Sequence, residues 1–173
     1  VSKYALKGCG DMPYIMTLVS LFTADSIIKS WIEKNWGASQ QCKHGIVIKK
    51  YHNKGAMFNF CDKNQDLVAI LSLVLSAFVS GIFTAVLQRK GARIQKTGLA
   101  LVLGGAYSNT YDRLKRKYVV DYFSVMIETK NISNQFLRKL VDKINTMVFN
   151  LADFGIMIGA ILFVMDECKG GQD

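Results

Sequence analysis

The stretch Gly104–Phe123, GGAYSNTYDRLKRKYVVDYF, decides how the rest of the chain is read. It begins inside an apolar run suited to a membrane and ends on Asp121, framed by Val119, Val120, Tyr122 and Phe123. A carboxylate held among apolar residues at a membrane boundary is costly, so it marks a functional site by default. Thirty-two residues later FNLAD places a second one, Asp153, near the start of another apolar run. Two such carboxylates are the skeleton of an aspartyl hydrolase where the fold brings them together, since close carboxyls share a proton.

Around that stretch, half of the 173 residues are apolar and most gather in long runs: Val19–Ile28, Leu67–Leu87, Thr97–Ala106 and Thr146–Met165. The second holds twenty-one residues without a charge, where roughly 20 suffice to cross the hydrocarbon. The others carry or adjoin Asp25 and Lys29, Asn109 and Asp112, and Asn150 and Asp153. Each alone reads equally as a buried core helix; beside the second run, four spans are the economical reading. The expected fold is an α-helical membrane protein, a single domain over 1–173. Its four transmembrane helices fall at about 14–32, 67–87, 97–112 and 146–165, with a small extracytoplasmic β-sheet within 35–66 and an interfacial amphipathic helix at about 126–145.

The formal net charge of +9 suits anionic lipid headgroups. No basic helix carries base-reading or stacking residues, so nucleic acid is not expected as a partner. Cys9, Cys42, Cys61 and Cys168 have no CxxC spacing, and His44 and His52 are too few for a zinc site. No metal is expected. Nothing apolar precedes Cys9 and no small-residue cleavage site follows the first run, so no cleavable leader is expected either.

Pro13 suits a helix start, with Val1–Met12 a short polar lead. Asp25 and Lys29 lie four apart and share a helix face, the spacing of a structural ion pair. Trp31 and Trp36 fit an interfacial aromatic belt. Gly45–Tyr51 has strand composition, HNKG a turn, and Ala56–Phe60 a returning strand. Cys42 and Cys61 flank that hairpin, where a disulfide is open but undecided. Arg89, Lys90, Arg93 and Lys96 form the densest basic loop and mark a cytoplasmic side. The wider count opposes this: seven Lys and Arg inside, fourteen outside, and Lys29 within a span.

Gly105, Asn109 and Asp112 recur at i, i+4 and i+7 and form one stripe on a helix face, the pattern of close packing in a membrane. Asn150 and Asp153, three apart, share a face, and Gly155 and Gly159 make a GxxxG. Phe136, Leu140, Ile144 and Val148 stand at fourfold spacing, with Arg138, Lys139 and Lys143 on other sides. That is a helix lying at an interface.

GGAYSNTYDR, VVDYF and FNLADFGI resemble the signature blocks of bacterial lipoprotein signal peptidase, the signal peptidase II family of aspartyl membrane peptidases. YHNKGAMF at 51–58 and ADSIIK at 24–29 resemble its two earlier blocks, so the likeness runs in order from Asp25 to Gly159. The resemblance implies an intramembrane aspartyl endopeptidase that removes the signal peptide from diacylglyceryl-modified prolipoproteins, cutting before the lipidated cysteine. It implies Asp121 and Asp153 as the catalytic pair. Around them it implies a supporting and substrate-binding shell of Asn53, Gly55, Gly105, Asn109, Asp112, Arg113, Asn150 and Ala152, with Asp25 and Lys29 behind. The family's usual glycine before the asparagine is Ser108 here, and the two aspartate blocks stand further apart than usual, which makes part of 126–145 an insertion. No cofactor is implied. The expected partners are prolipoprotein signal peptides and membrane lipids. The expected state is a monomer in the bacterial cytoplasmic (inner) membrane, multi-pass, with its site toward the extracytoplasmic side. The rival readings are a small ion-coupled transporter, which predicts midplane charges and an internal repeat that is not found, and a non-catalytic paralogue, which predicts losses among the acidic positions.

Overall fold

A computed structural model describes residues 2–37, 41–43, 45–55, 64–129 and 133–170. Five helices and three strands follow in the order α1 (Ser2–Asn35), β1 (Gln41–Lys43), β2 (Ile46–Asn53), α2 (Gln65–Leu87), α3 (Arg93–Arg116), β3 (Val119–Val125), α4 (Gln135–Thr146) and α5 (Leu151–Gly170). Mostly helical, the molecule carries one small antiparallel sheet in the order β1-β2-β3.

α3 is the central helix, packed against α1, α2 and α5. Small residues permit that crowding. A Cβ on Gly98 would meet the Gly159 carbonyl oxygen at 2.7 Å, and one on Gly104 would meet that of Leu18 at 2.8 Å. One on Gly105 would strike the Ala152 carbonyl oxygen. Backbones this close gain dispersion contacts that lipid chains do not match. Against α2, Phe83 and Val86 meet Leu99, Ala100 and Leu103, and Ser76 bonds Thr110 at 3.0 Å further along the same contact.

Local signals set several boundaries. Asn64 caps α2 by accepting the Leu67 N–H at 3.0 Å, and Asn134 caps α4 by accepting from Phe136 and Leu137. Arg113, Lys115 and Arg116 occupy the last turn of α3, where cations oppose the negative end of the helix dipole. Lys117 then takes the left-handed conformation, φ 66°, and turns the chain into β3 within two residues.

Several expectations change. α1 runs straight through Pro13 rather than starting there; a proline removes one backbone donor but not the packing that holds a long helix. β2 extends through His52 and Asn53, taking in residues read as a turn. Its second neighbour is β3, which the sequence reading had not made a strand. The expected returning strand 56–60 lies outside the described residues, as do the side chain of Cys42 and all of Cys61. The last helix begins at Leu151 rather than Thr146, because Phe149 is drawn into a bridge with Phe123. α4 ends at Thr146, so Val148 is not part of its stripe. Gly155 and Gly159 do not serve one partner: Gly155 packs on Leu21 of α1 and Gly159 on Gly98 of α3. Among the described residues, two helices suit a membrane crossing by length and composition, Gly10–Asn35 and Gln65–Leu87.

Candidate active site

Strand register builds the first half of the site. In the β2–β3 ladder Tyr51 stands opposite Asp121 and Asn53 opposite Val119. Alternation therefore puts Tyr51, Asn53, Val119 and Asp121 on one face, and Val120 and Tyr122 on the other. The second set packs on Ile32 of α1. From the first face the Asn53 amide reaches across and donates to Asp121 Oδ2 at 3.1 Å.

The other half comes from the start of α5. Asn150, read as sharing a helix face with Asp153, is instead its cap. Its Oδ1 accepts the Asp153 N–H at 2.9 Å, and its own N–H donates to Asp153 Oδ2 at 3.0 Å. This reciprocal box satisfies two otherwise orphaned donors and locks the Asp153 side chain. The Asn150 amide nitrogen remains free to donate to Asp121 Oδ1, at 2.7 Å. One asparagine thus grips both carboxylates. Phe149 makes this possible, since its pairing with Phe123 at 2.6 Å (N to O) lays the preceding chain beside β3.

Asn109, one turn along α3 from Gly105, donates to Asp153 Oδ1 at 2.9 Å. Its own Oδ1 accepts from Lys29 Nζ at 2.7 Å and from Asn150 at 3.2 Å. Gly105 against the Ala152 carbonyl sets the approach of the two helices that this reach requires.

Beneath lies a buried charged cluster. Lys29 pairs with Asp25 at 2.7 Å and Asp112 at 3.3 Å. Ser108 donates to Asp25 at 2.6 Å. Asp112 also meets Arg116 at 3.4 Å and accepts the Val120 N–H at 3.4 Å. The expected Asp25–Lys29 pair is therefore present, but inside protein rather than facing lipid. Buried carboxylates of this kind persist only when paired and hydrogen-bonded.

Both candidate carboxylates open on a cavity of about 730 Å³ between α2, α3, α5 and the sheet. Asn53, Asn109 and Arg113 line it with them. Arg113 also donates to the Gly55 carbonyl across a long 3.5 Å. Among the described residues, Asn53 Oδ1 and Arg113 Nε are buried with no hydrogen-bond partner. Burial, and the Asp153 carboxylate beside it, push Asp121 up to about 7, against the donations from Asn53 and Asn150. A carboxyl raised in this way holds its proton to a higher pH than an exposed one, which is the property a general acid needs.

The expected shell is thus gathered in one place: Asn53, Asn109 and Asn150 by direct bonds to the carboxylates, Lys29 through Asn109, Asp25 and Asp112 through Lys29, Gly55 through Arg113, and Gly105 with Ala152 by packing. Sequence reasoning missed Tyr122, whose hydroxyl accepts from Leu151 N–H and donates to Asp25. Only the strand alternation in VVDYFSV signals it, by setting Tyr122 opposite in face to Asp121.

The chain is similar to several known proteins. The family model described as signal peptidase (SPase) II matches residues 17–169. A lipoprotein signal peptidase of Pseudomonas paraeruginosa is 29% identical over 165 residues, covering 91% of this chain and 88% of the relative. That of Shewanella oneidensis is 30% identical over 159 residues, covering 90% of this chain and 85% of the relative. Among solved structures, a bacterial membrane enzyme determined by the in meso method at 2.3 Å shares the fold. Its TM-score is 0.71 at 20% identity, over 91% of this chain and 88% of that one.

Proposed function

This chain belongs to the signal peptidase II family, and we propose that Asp121 and Asp153 are the catalytic pair with which it cuts its substrate. Membership makes it a protease of lipoprotein processing, and a membrane protein. The observation that carries the proposed pair is the double grip of Asn150, 2.7 Å from one carboxylate and 3.0 Å from the other.

The chemistry follows from two carboxyls that share one proton. The ionised partner draws a proton from a water molecule held between them, and the oxygen of that water attacks the scissile carbonyl carbon. The protonated partner donates to the carbonyl oxygen as it gathers charge. Collapse of the tetrahedral intermediate breaks the C–N bond, and the departing amine takes a proton from the pair. The macroscopic titration belongs to both groups together. The side-chain amides of Asn53, Asn109 and Asn150 and the Asn150 backbone N–H orient the oxygens throughout.

The substrate is a prolipoprotein, cut before a cysteine that carries a diacylglyceryl group, with its signal helix lying between spans. The cavity supports this reading, because it is bounded by α2, α3 and α5 and opens beside the carboxylates. Asn53 Oδ1 and Arg113 Nε, an acceptor and a donor with no partner among the described residues, suit a polypeptide backbone. α1, α2, α3 and α5 serve as four spans, with the 88–96 loop in the cytoplasm and the carboxylates toward the outer face of the inner membrane. The working unit is a single chain.

Cleavage of a diacylglyceryl-modified prolipoprotein by purified protein in bilayers tests the pair. Asp121→Asn and Asp153→Asn are each expected to remove turnover while leaving the protein folded. Near wild-type turnover in either variant overturns the assignment.

A further inference from the structure

We propose that the Tyr122 hydroxyl is a positioning group for the reaction, fastening the first turn of α5 to the Asp25–Lys29 pair and so holding Asn150 against both carboxylates. The inference rests on the catalytic pair proposed above.

Tyr122 follows Asp121 on β3, so its side chain leaves by the opposite face and enters the packing around Ile32 and Val120. There its oxygen accepts the Leu151 N–H at 2.9 Å and its hydrogen goes to Asp25 Oδ1 at 3.2 Å. Leu151 opens α5, and the first N–H groups of a helix have no partner within it. The capping oxygen of Asn150 is already engaged by Asp153. The phenol is therefore what satisfies Leu151, at 9% exposure of its own residue.

Asp25 makes the anchor rigid. Its other oxygen takes Lys29 at 2.7 Å and Ser108 at 2.6 Å, so the carboxylate cannot swing without breaking three contacts. Lys29 in turn holds Asn109, which donates to Asp153. Asp153 is thus reached from Asp25 by two routes, one through Lys29 and Asn109 and one through Tyr122, Leu151 and Asn150. Burial and the Asp25 carboxylate raise the phenol well above its ordinary range, so it stays a donor to Asp25. The charged groups gathered about it and the pair are Asp25 and Lys29 from α1, Asp112 and Arg113 from α3, Asp121 from β3 and Asp153 from α5.

Removing the hydroxyl leaves Leu151 N–H and Asp25 Oδ1 short of a partner in a buried place, and the turn bearing Asn150 loses its anchor on the Leu151 side while keeping the backbone pairing of Phe149 with Phe123. A weaker donation from Asn150 to Asp121 raises the latter's affinity for a proton. Three results are expected for full-length Tyr122→Phe in bilayers, assayed on a lipidated prolipoprotein. kcat falls about tenfold or more with KM changed less than about twofold, the pattern of a group that acts in the transition state. The alkaline limb of kcat moves to higher pH. The Leu151 amide exchanges with solvent about tenfold faster or more.

A folded Tyr122→Phe protein with unchanged kcat and unchanged limb overturns the inference, even if it melts earlier. Wild-type protein supplies an arm that needs no variant: the Leu151 amide is protected from exchange, and fast exchange there overturns the inference as well. That arm is independent of the catalytic pair, whose own failure shows as retained turnover in Asp121→Asn or Asp153→Asn.

Discussion

Lys29 Nζ lies 2.7 Å from Asn109 Oδ1, and that contact decides which end of the Asn109 amide faces Asp153. An ammonium only donates, so it takes the oxygen and leaves the nitrogen to donate into the site. The direction of a hydrogen bond between α3 and α5 is thereby set by a buried lysine on α1.

Lys29→Met is expected to destabilise the protein by about 3–5 kcal/mol, the cost of leaving a buried charge without its partner. Asp25 and Asp112 are both almost wholly buried and both pair with this lysine. Thermal unfolding in detergent reads the effect, and adding Asp25→Leu restores part of the loss. A single variant as stable as wild type contradicts the charge balance described here.

Gly105→Ala is expected to cost about 1–3 kcal/mol through overpacking and to lower turnover too. The added methyl meets the Ala152 carbonyl and comes within 2.8 Å of Ile156. Ala152 sits between Asn150 and Asp153, so the push reaches the carboxylates. Gly81→Ala on α2, with nothing within 4 Å, is the control and is expected to stabilise its helix by about 0.5–1 kcal/mol. Equal behaviour of the two variants counts against the tight α3–α5 approach.

The protonation of Asp121 sets a pH dependence. Its folded value is about 7 and its ordinary value 3.8, so between these the folded protein holds a proton that the unfolded chain has released. The resulting stability is fully present below the lower value and is lost as pH rises through the higher. Asp121→Asn is expected to flatten that slope. Turnover is expected to fall above about pH 7, as the pair loses its shared proton. A kcat profile still level at about pH 9 contradicts a shared proton.

On α4 the side chains of Phe136, Leu137 and Leu140 are exposed, and no residue of that helix is buried. Such a stripe is expected to lie in the acyl boundary beside the cavity rim, where Lys143 and Thr146 stand. Burying one leucine contributes about 1.5–3 kcal/mol. Leu140→Asp is therefore expected to weaken processing in bilayers about tenfold or more, mainly through KM. Unchanged kinetics makes α4 a solvated element with no part in capture.

Cys168, free and exposed near the end of α5, reports the orientation. In intact cells a membrane-impermeant thiol reagent is expected to miss it. Labelling from outside reverses the placement of the carboxylates relative to the membrane.

Some of this was already present in the order of residues. An uncharged run as long as Leu67–Leu87 has no stable place except a helix among apolar neighbours, and α2 lies there. Asp121 and Asp153 stood out because carboxylates within apolar runs are costly to keep. The fourfold spacing from Phe136 foretold an amphipathic α4, since helical periodicity is local. The spacing of Asp25 and Lys29 likewise foretold their pair.

What depended on residues far apart in the chain had to wait for the tertiary structure. VVDYFSV became a strand because β2 supplied its ladder partners from sixty or more positions away, and strand formation answers to neighbours more than to propensity. Asn150 left the helix face expected of it because Phe149 was captured by Phe123, which moved the helix start and turned Asn150 into a cap. The two glycines of GxxxG went to separate helices because α5 is wedged between α1 and α3. Local spacing states which side chains share a face; only the packed elements decide what that face meets.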